Sequence, residues 1–198
     1  VTYLLLTRGE AGIATMDPAE TGALREREQR AAGEAVGVSQ IDFLSYPDSM
    51  LTYSLEMRRD IARVIRRQRP NVVIAQTWAE EPAWGLNQAD HRAVGLATAD
   101  AVRDAGNRWA FPELVSEGFE PWASSWLLVA GDPRPSHGVE VTGEPLERGI
   151  ASLEAHAEYF AVLENHPNVR EMLTGFAEAG GALLGVQHAT VFRAHQLT

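Results

Sequence analysis

Blocks of apolar and polar residues along the chain predict strands and helices that follow one another in turn. Residues Val1 to Thr7 are almost continuously apolar, as in a strand that is buried on both faces. Between residues 55 and 69, apolar side chains recur at helical spacing, which predicts a helix with one buried face. On this pattern we expect strands at 1–7, 38–44, 71–76 and 126–130, and helices at 18–36, 55–69, 90–103, 145–164 and 167–179.

Three successive strand–helix units predict an α/β fold with a mostly parallel sheet, because parallel neighbours need a crossover connection. The signals at the helix ends agree with this. Asp17 suits the cap of the first helix, Pro18 its first position and Gly37 its end. The chain contains no internal repeat, linker or low-complexity segment. We therefore expect one domain over residues 1–198, closed by the two C-terminal helices.

Composition narrows the class of protein. The 198 residues are 45% hydrophobic, which excludes global disorder. Cysteine is absent and all 17 basic residues are arginine, so disulfides, thiolate metal sites and lysine chemistry are excluded. A net charge of −10 argues against a nucleic-acid partner. No apolar run is long enough for a membrane span and no signal peptide is visible, so we expect a cytoplasmic protein that acts on a small molecule.

Candidate chemistry lies where the predicted strands end, because ligands of parallel sheets bind beyond the carboxyl ends of the strands. These segments are residues 7–12, 46–50 and 77–92, and the last is the richest in polar side chains. We expect Asp90 to cap the following helix and His91 to lie in its first turn, in a crevice shared by all three segments. A helix N-terminus disfavours protonated imidazole and so suits a metal ligand. On spacing alone, a structural role for His91 is the more common outcome.

Several short motifs resemble, in order, those of one enzyme family. They are Leu6-Thr7-Arg8-Gly9-Glu10-Ala11-Gly12, Arg25-Glu26-Arg27-Glu28, Gly37-Val38 with Phe43-Leu44 and Asp48, Arg69-Pro70-Asn71-Val72-Val73, and Asn87-Gln88-Ala89-Asp90-His91-Arg92-Ala93-Val94-Gly95. Together they resemble the LmbE/PIG-L family of zinc-dependent N-deacetylases over residues 1–105. The later Ser152-Leu153-Glu154-Ala155-His156 is similar to the C-terminal helix of that family.

The resemblance implies a Rossmann-like fold, a three-layer α/β/α sandwich, and hydrolysis of the acetamide of an N-acylated amino sugar or glycoconjugate. It implies that His91 binds zinc and that Asp90 is the catalytic carboxylate beside it. The substrate-binding positions that it implies are Arg25, Asp48, Glu10, Gln88 and His156. In such chemistry zinc lowers the pKa of its bound water to ~7 and polarises the acetyl carbonyl, while a carboxylate moves the proton.

Two features depart from the family pattern. The early His-Pro-Asp-Asp motif, which carries two metal ligands and the general base, is absent, and in the family it precedes the strand that begins at Val1. We expect an upstream segment to supply it, so that this domain lacks its first strand. Gln88 stands where many members have a histidine, and an amide cannot transfer a proton. With His91 as the one recognisable ligand, this chain alone is expected to bind zinc weakly and to be inactive.

Other interpretations stay open. His156 lies on a predicted helix beside Leu153, Tyr159 and Phe160, where a packed histidine is more common than a catalytic one. The chain also fits a catalytically degenerate homologue that binds a small molecule, or a subunit whose main role is assembly. No motif identifies the acyl group, the substrate or whether the chain forms a homo-oligomer.

Overall fold

A computed structural model describes residues 1–163 and 167–198. The chain forms two compact units: unit 1 is Val1–Ser49 with Gly138–Thr190, and unit 2 is Met50–His137 with Val191–Thr198. No helix among the described residues is long and apolar enough to cross a membrane. In chain order the elements are β1 (Thr2–Leu5), α1 (Pro18–Ala35), β2 (Gln40–Phe43), α2 (Leu55–Gln68), β3 (Val72–Gln76), α3 (Ala89–Gly106), α4 (Pro112–Ser116), β4 (Trp126–Ala130), β5 (His137–Glu140), α5 (Glu144–Glu154), α6 (Ala157–Val162), α7 (Val169–Leu184) and β6 (Ala189–Gln196).

Unit 1 contains the parallel pair β1 and β2, which α1 connects. α1 packs against α5, and α5 packs against α7. The predicted start of α1 is confirmed, because Asp17 Oδ1 accepts the N–H of Ala19 at 2.8 Å and Pro18 occupies the first helical position. The buried apolar side chains of this unit include Leu6, Ile13, Leu24, Val38, Ile41 and Ile150.

The helix predicted over residues 145–164 is instead two helices. α5 ends at Glu154, and His156, with φ −83° and ψ 45°, leaves the helical path and occupies the N-cap position of α6. The Glu28 carboxylate of α1 stabilises this second start, because its Oε1 accepts the N–H groups of Glu158 at 2.8 Å and Tyr159 at 3.1 Å. Residue 164, where the predicted helix ends, lies outside the described residues.

The sheet that contains β3 is mixed. β3 and β4 are parallel, β6 runs antiparallel to β4, and the strand order is β3-β4-β6-β5. The mostly parallel sheet expected from the sequence is therefore not confirmed, because β5 and β6, which lie outside the strand–helix repeat, extend it. The four predicted strands are present as β1 to β4 with slightly different ends.

Helices α2 and α3 pack against each other in unit 2. α2 begins at Leu55, as predicted, and it buries the apolar face that the helical spacing indicates. The Ser54 hydroxyl caps it by accepting the N–H of Met57 at 3.1 Å. The buried residues of α3 are mostly small, with Ala97, Ala101 and Ala105 among them. The buried apolar side chains of unit 2 include Met57, Ile61, Ala62, Ala97, Ala101, Ala105, Leu127 and Val129.

Candidate active site

The first turn of α3 carries the residues that the sequence singles out most strongly. The helix begins at Ala89, with the exposed Gln88 in the N-cap position and no capping bond from its side chain. The prediction that Asp90 caps the helix is wrong, because Asp90 is its second residue. Its Oδ1 accepts the N–H of Leu51 at 3.1 Å, so this carboxylate fastens the segment before α2. His91 does lie in the first turn, as predicted.

Asn87 determines which nitrogen of the His91 ring is free. Asn87 is buried, and its Nδ2 donates to the carbonyl oxygens of Thr77 and Ala79, both at 3.0 Å. These two bonds fix the orientation of the amide, so that Oδ1 faces His91 Nδ1 at 3.3 Å. Because an amide oxygen only accepts hydrogen bonds, the neutral His91 ring carries its proton on Nδ1 and keeps the lone pair on Nε2.

The His91 ring therefore suits a metal ligand that binds through Nε2, since such ligands donate their other ring N–H to a fixed acceptor. A catalytic zinc site needs about three protein ligands. Among residues 1–163 and 167–198, no group of three or more histidine, aspartate or glutamate side chains is placed to hold a metal ion. The described residues thus supply one fitting ligand and do not complete a metal site.

Gly95 sets how closely α3 approaches β3. A Cβ at this position would lie 2.5 Å from the carbonyl oxygen of Gln76, the last residue of β3, which is closer than real Cβ contacts allow. Only glycine fits there without displacing the backbone. Because His91 lies one turn before Gly95, this close packing holds the start of α3 near the carboxyl end of β3.

Glu10 and Asp48 lie together in unit 1 and hold two loops. Glu10 accepts the N–H groups of Asp48 at 2.9 Å and Arg8 at 3.1 Å, while Asp48 accepts the Thr7 hydroxyl at 3.0 Å and the Ala11 N–H at 3.1 Å. Burial alone would raise the pKa of Glu10, but backbone N–H donors and the Arg8 charge outweigh it and lower that pKa. Both carboxylates therefore fix the shape of the loops that follow β1 and β2.

A cavity of about 390 Å³ opens beside these loops within unit 1. Its volume is in the range of small-molecule sites. Its wall carries both charges, because Glu10 contributes an anion and Arg8 a cation, and Arg8 is also paired with Glu26 at 2.7 Å. The residues around the cavity are Arg8, Glu10, Pro18, Ala19, Gly22, Leu44, Ser45 and Tyr46.

Arg25 and His156 are also brought together in unit 1. Arg25 Nη1 lies 3.2 Å from His156 Nδ1 and donates to Glu28 Oε2 at 2.8 Å. Because a guanidinium only donates, His156 accepts at Nδ1 and carries its proton on Nε2. Burial and then the Arg25 charge lower the pKa of His156, while Glu28 acts in the opposite direction. The ring is therefore a neutral one, with the tautomer opposite to that of His91.

The predicted site residues thus form separate groups. Unit 1 holds Glu10 with Asp48, and Arg25 with His156, whereas unit 2 holds the adjacent residues 88, 90 and 91. The expectation that all of them share one crevice stays a prediction. Sequence reasoning did not assign a role to Asn87 or Glu28, although both occur in the motifs quoted above.

Comparison with known proteins identifies the class. Residues 1–102, more than half of the chain, match the family model "PIG-L: GlcNAc-PI de-N-acetylase". The chain therefore belongs to the PIG-L family, as its motifs predict. The matched region contains Glu10, Arg25, Asp48 and the start of α3 with His91.

Several relatives are named as deacetylases. The chain is 39% identical over 169 residues to diacetylchitobiose deacetylase of Thermococcus kodakarensis, an alignment that covers 81% of this chain and 59% of that protein. It is 28% identical over 170 residues to the probable N-acetyl-alpha-D-glucosaminyl L-malate deacetylase 2 of Bacillus anthracis, covering 81% of this chain and 69% of that protein. The chain thus spans less than two thirds of the first relative's length.

A solved structure shares the fold. The N,N'-diacetylchitobiose deacetylase from Pyrococcus horikoshii, complexed with its inhibitor MPG, superposes with a TM-score of 0.87. The match covers 99% of this chain and 73% of that chain at 23% identity. At this identity the likeness shows a common mixed α/β fold.

Proposed function

We propose that this protein is an N-deacetylase that hydrolyses the acetamide of an N-acetylated amino sugar or a related glycoconjugate. The observation that carries the proposal is the match of residues 1–102 to the PIG-L family, because it contains most of the candidate site. The names of the relatives support the same class of substrate, since they describe deacetylases of diacetylchitobiose and of an N-acetylglucosaminyl malate. The proposal includes the Rossmann-like layered fold that the resemblance implies.

We propose that the enzyme is zinc-dependent and that His91 is the metal ligand that this chain supplies. The support is the Nε2 lone pair that Asn87 leaves free, together with the preference of zinc for neutral imidazole. The described residues contain no group of three or more histidine, aspartate or glutamate side chains placed to hold a metal ion. The chain's own residues therefore act by orienting His91, by holding the substrate and, at Asp90, by providing the carboxylate beside the metal ligand.

Substrate binding is proposed to involve the groups in unit 1 and Gln88. Arg25 and His156 carry N–H donors, which suit the oxygen atoms of a sugar. Glu10 and Asp48 shape the loops beside the 390 Å³ cavity and still have lone pairs for hydroxyl groups. Gln88, whose side chain makes no capping bond, can donate to an acetyl carbonyl. A cytoplasmic location and assembly into homo-oligomers stay predictions.

A second candidate is a homologue that binds the sugar without hydrolysing it. Two observations favour it: Gln88 cannot transfer a proton, and the described residues contain no group of three metal ligands. The deacetylase and the non-hydrolysing homologue would bind the same ligand, but only the deacetylase would turn it over. One substrate can therefore distinguish the two functions.

The test uses the protein expressed from its full reading frame, with zinc added, and N,N'-diacetylchitobiose as substrate. A deacetylase releases acetate and a free amine in equal amounts, and both can be measured. Binding of the disaccharide without release of acetate would support the second candidate. The absence of both binding and turnover would contradict the proposed substrate class.

A further inference from the structure

Glu28 is the buried centre of a polar cluster in unit 1. It lies on α1 with 7% of its surface exposed, and its carboxylate contacts Arg25 in the preceding turn of α1 and residues around the start of α6. Its Oε1 accepts the N–H groups of Glu158 and Tyr159, which lie in the first turn of α6, and its Oε2 accepts from Arg25. One carboxylate therefore joins the start of α6 to the Arg25 guanidinium.

Arg25 is held on several sides. Its Nη1 donates to Glu28 Oε2 at 2.8 Å and lies 3.2 Å from His156 Nδ1, and its guanidinium carbon lies 3.9 Å from the centre of the Tyr159 ring. A free arginine side chain has many rotamers, and this one is confined before any ligand binds.

His156 depends on the same cluster. The residue is buried, its Nδ1 is paired with the Arg25 guanidinium, and Glu28 Oε2 lies 3.7 Å from that nitrogen. His156 also occupies the N-cap position of α6, and Glu28 accepts N–H groups in the first turn of that helix. Glu28 thus influences the position of His156 in two ways: it holds Arg25, which pairs with the ring, and it stabilises the start of α6.

We infer that Glu28 is a positioning residue: it does not touch substrate but holds Arg25 and His156 in the geometry in which they bind a sugar oxygen. The inference rests on the proposed function for the identity of that ligand. The physical reason is pre-organisation. Immobilising a rotamer-rich side chain during binding costs entropy, and a confined Arg25 has already lost that freedom on folding.

The test compares Glu28→Gln with Glu26→Gln. Glutamine keeps an oxygen for the N–H groups of α6 but loses the charge that holds Arg25, so the helix start survives and the ion pair does not. Glu26 is a neighbouring glutamate on α1 that pairs with Arg8 instead, which makes Glu26→Gln the matched control. Circular dichroism and the unfolding midpoint check that both variants are folded.

The first readout is the nitrogen NMR spectrum of the Arg25 guanidinium, which needs no ligand. In the wild type and in Glu26→Gln, we expect separate Nη signals because rotation of the group is hindered. In Glu28→Gln these signals should merge. Unchanged Arg25 signals in a folded Glu28→Gln variant would overturn the inference, whatever the outcome for the proposed function.

The second readout is the Kd for N,N'-diacetylchitobiose. Glu28→Gln should weaken binding about tenfold, and the double variant with Arg25→Met should bind no more weakly than Arg25→Met alone, because Glu28 acts through Arg25. Additive losses in the double variant would overturn the positioning role. Merged Arg25 signals together with no binding by the wild type would leave Glu28 as the residue that holds Arg25 and would refute the proposed substrate.

Discussion

Replacing Asn87 tests how the protein prepares His91. In Asn87→Ala the ring loses the acceptor for its Nδ1 proton, and the carbonyl groups of Thr77 and Ala79 lose their donor. We expect the proton of the neutral His91 ring to move from Nδ1 alone to a mixture of both nitrogens. The free energy of unfolding should fall at the same time.

The size of the loss follows from the contacts. Asn87 makes three side-chain hydrogen bonds, and it is 2% exposed, so little water can replace them. A hydrogen bond of this kind contributes about 1 kcal/mol, so Asn87→Ala should lower the free energy of unfolding by about 3 kcal/mol. Buried carbonyl groups left without a partner increase the loss.

Asn87→Asp is the matched variant, because a carboxylate can still accept from His91 but cannot donate to the two carbonyl groups. It should lose stability and yet keep the proton on Nδ1. Urea unfolding measures the first quantity, and the nitrogen NMR shifts of the His91 ring, recorded where the spectrum shows it to be neutral, measure the second. A His91 ring that keeps its proton on Nδ1 in Asn87→Ala would refute the reasoning.

Two further predictions concern packing and pH. Gly95→Ala should destabilise the fold and displace the start of α3, because its Cβ would lie 2.5 Å from the Gln76 carbonyl oxygen. Urea unfolding measures the loss of stability, and the NMR shifts of the His91 ring report the displacement. A variant as stable as the wild type would contradict this prediction. Burial and the Arg25 charge lower the pKa of His156 in the folded protein. Near pH 6.5 the unfolded chain therefore binds more protons at this residue than the folded chain does. The contribution of His156 to the free energy of unfolding should be fully present above about pH 6.5 and should decrease as the pH falls below that value. His156→Gln should reduce this pH dependence, and identical curves for the two proteins would refute the assignment.

Local signals in the sequence predict much of the fold. Asp17 and Pro18 mark the start of α1, and the helical spacing of apolar residues marks α2, because each of these signals acts within a few residues. β6 is not predicted from local signals, because its residues mix polar and apolar types. It forms a strand by pairing antiparallel with β4.

The candidate site is predictable only in part, because some of its features depend on contacts between residues far apart in the sequence. His91 is found from its place after β3 and from the family motif. The interruption between α5 and α6 at His156 cannot be found in this way. It depends on Glu28, which is far away in the sequence and accepts N–H groups in the first turn of α6. The role of Asn87 likewise depends on two carbonyl groups that only the folded loop places around it. Roles that depend on tertiary contacts have no local pattern.

Metal binding at His91 is central to the proposed function. The direct measurement is the zinc content after dialysis of the protein expressed from its full reading frame, of His91→Ala, and of His137→Ala, which replaces an exposed histidine as a control. We expect one zinc per chain in the wild type and in His137→Ala, and none in His91→Ala. Stoichiometric zinc in His91→Ala would contradict metal binding at His91.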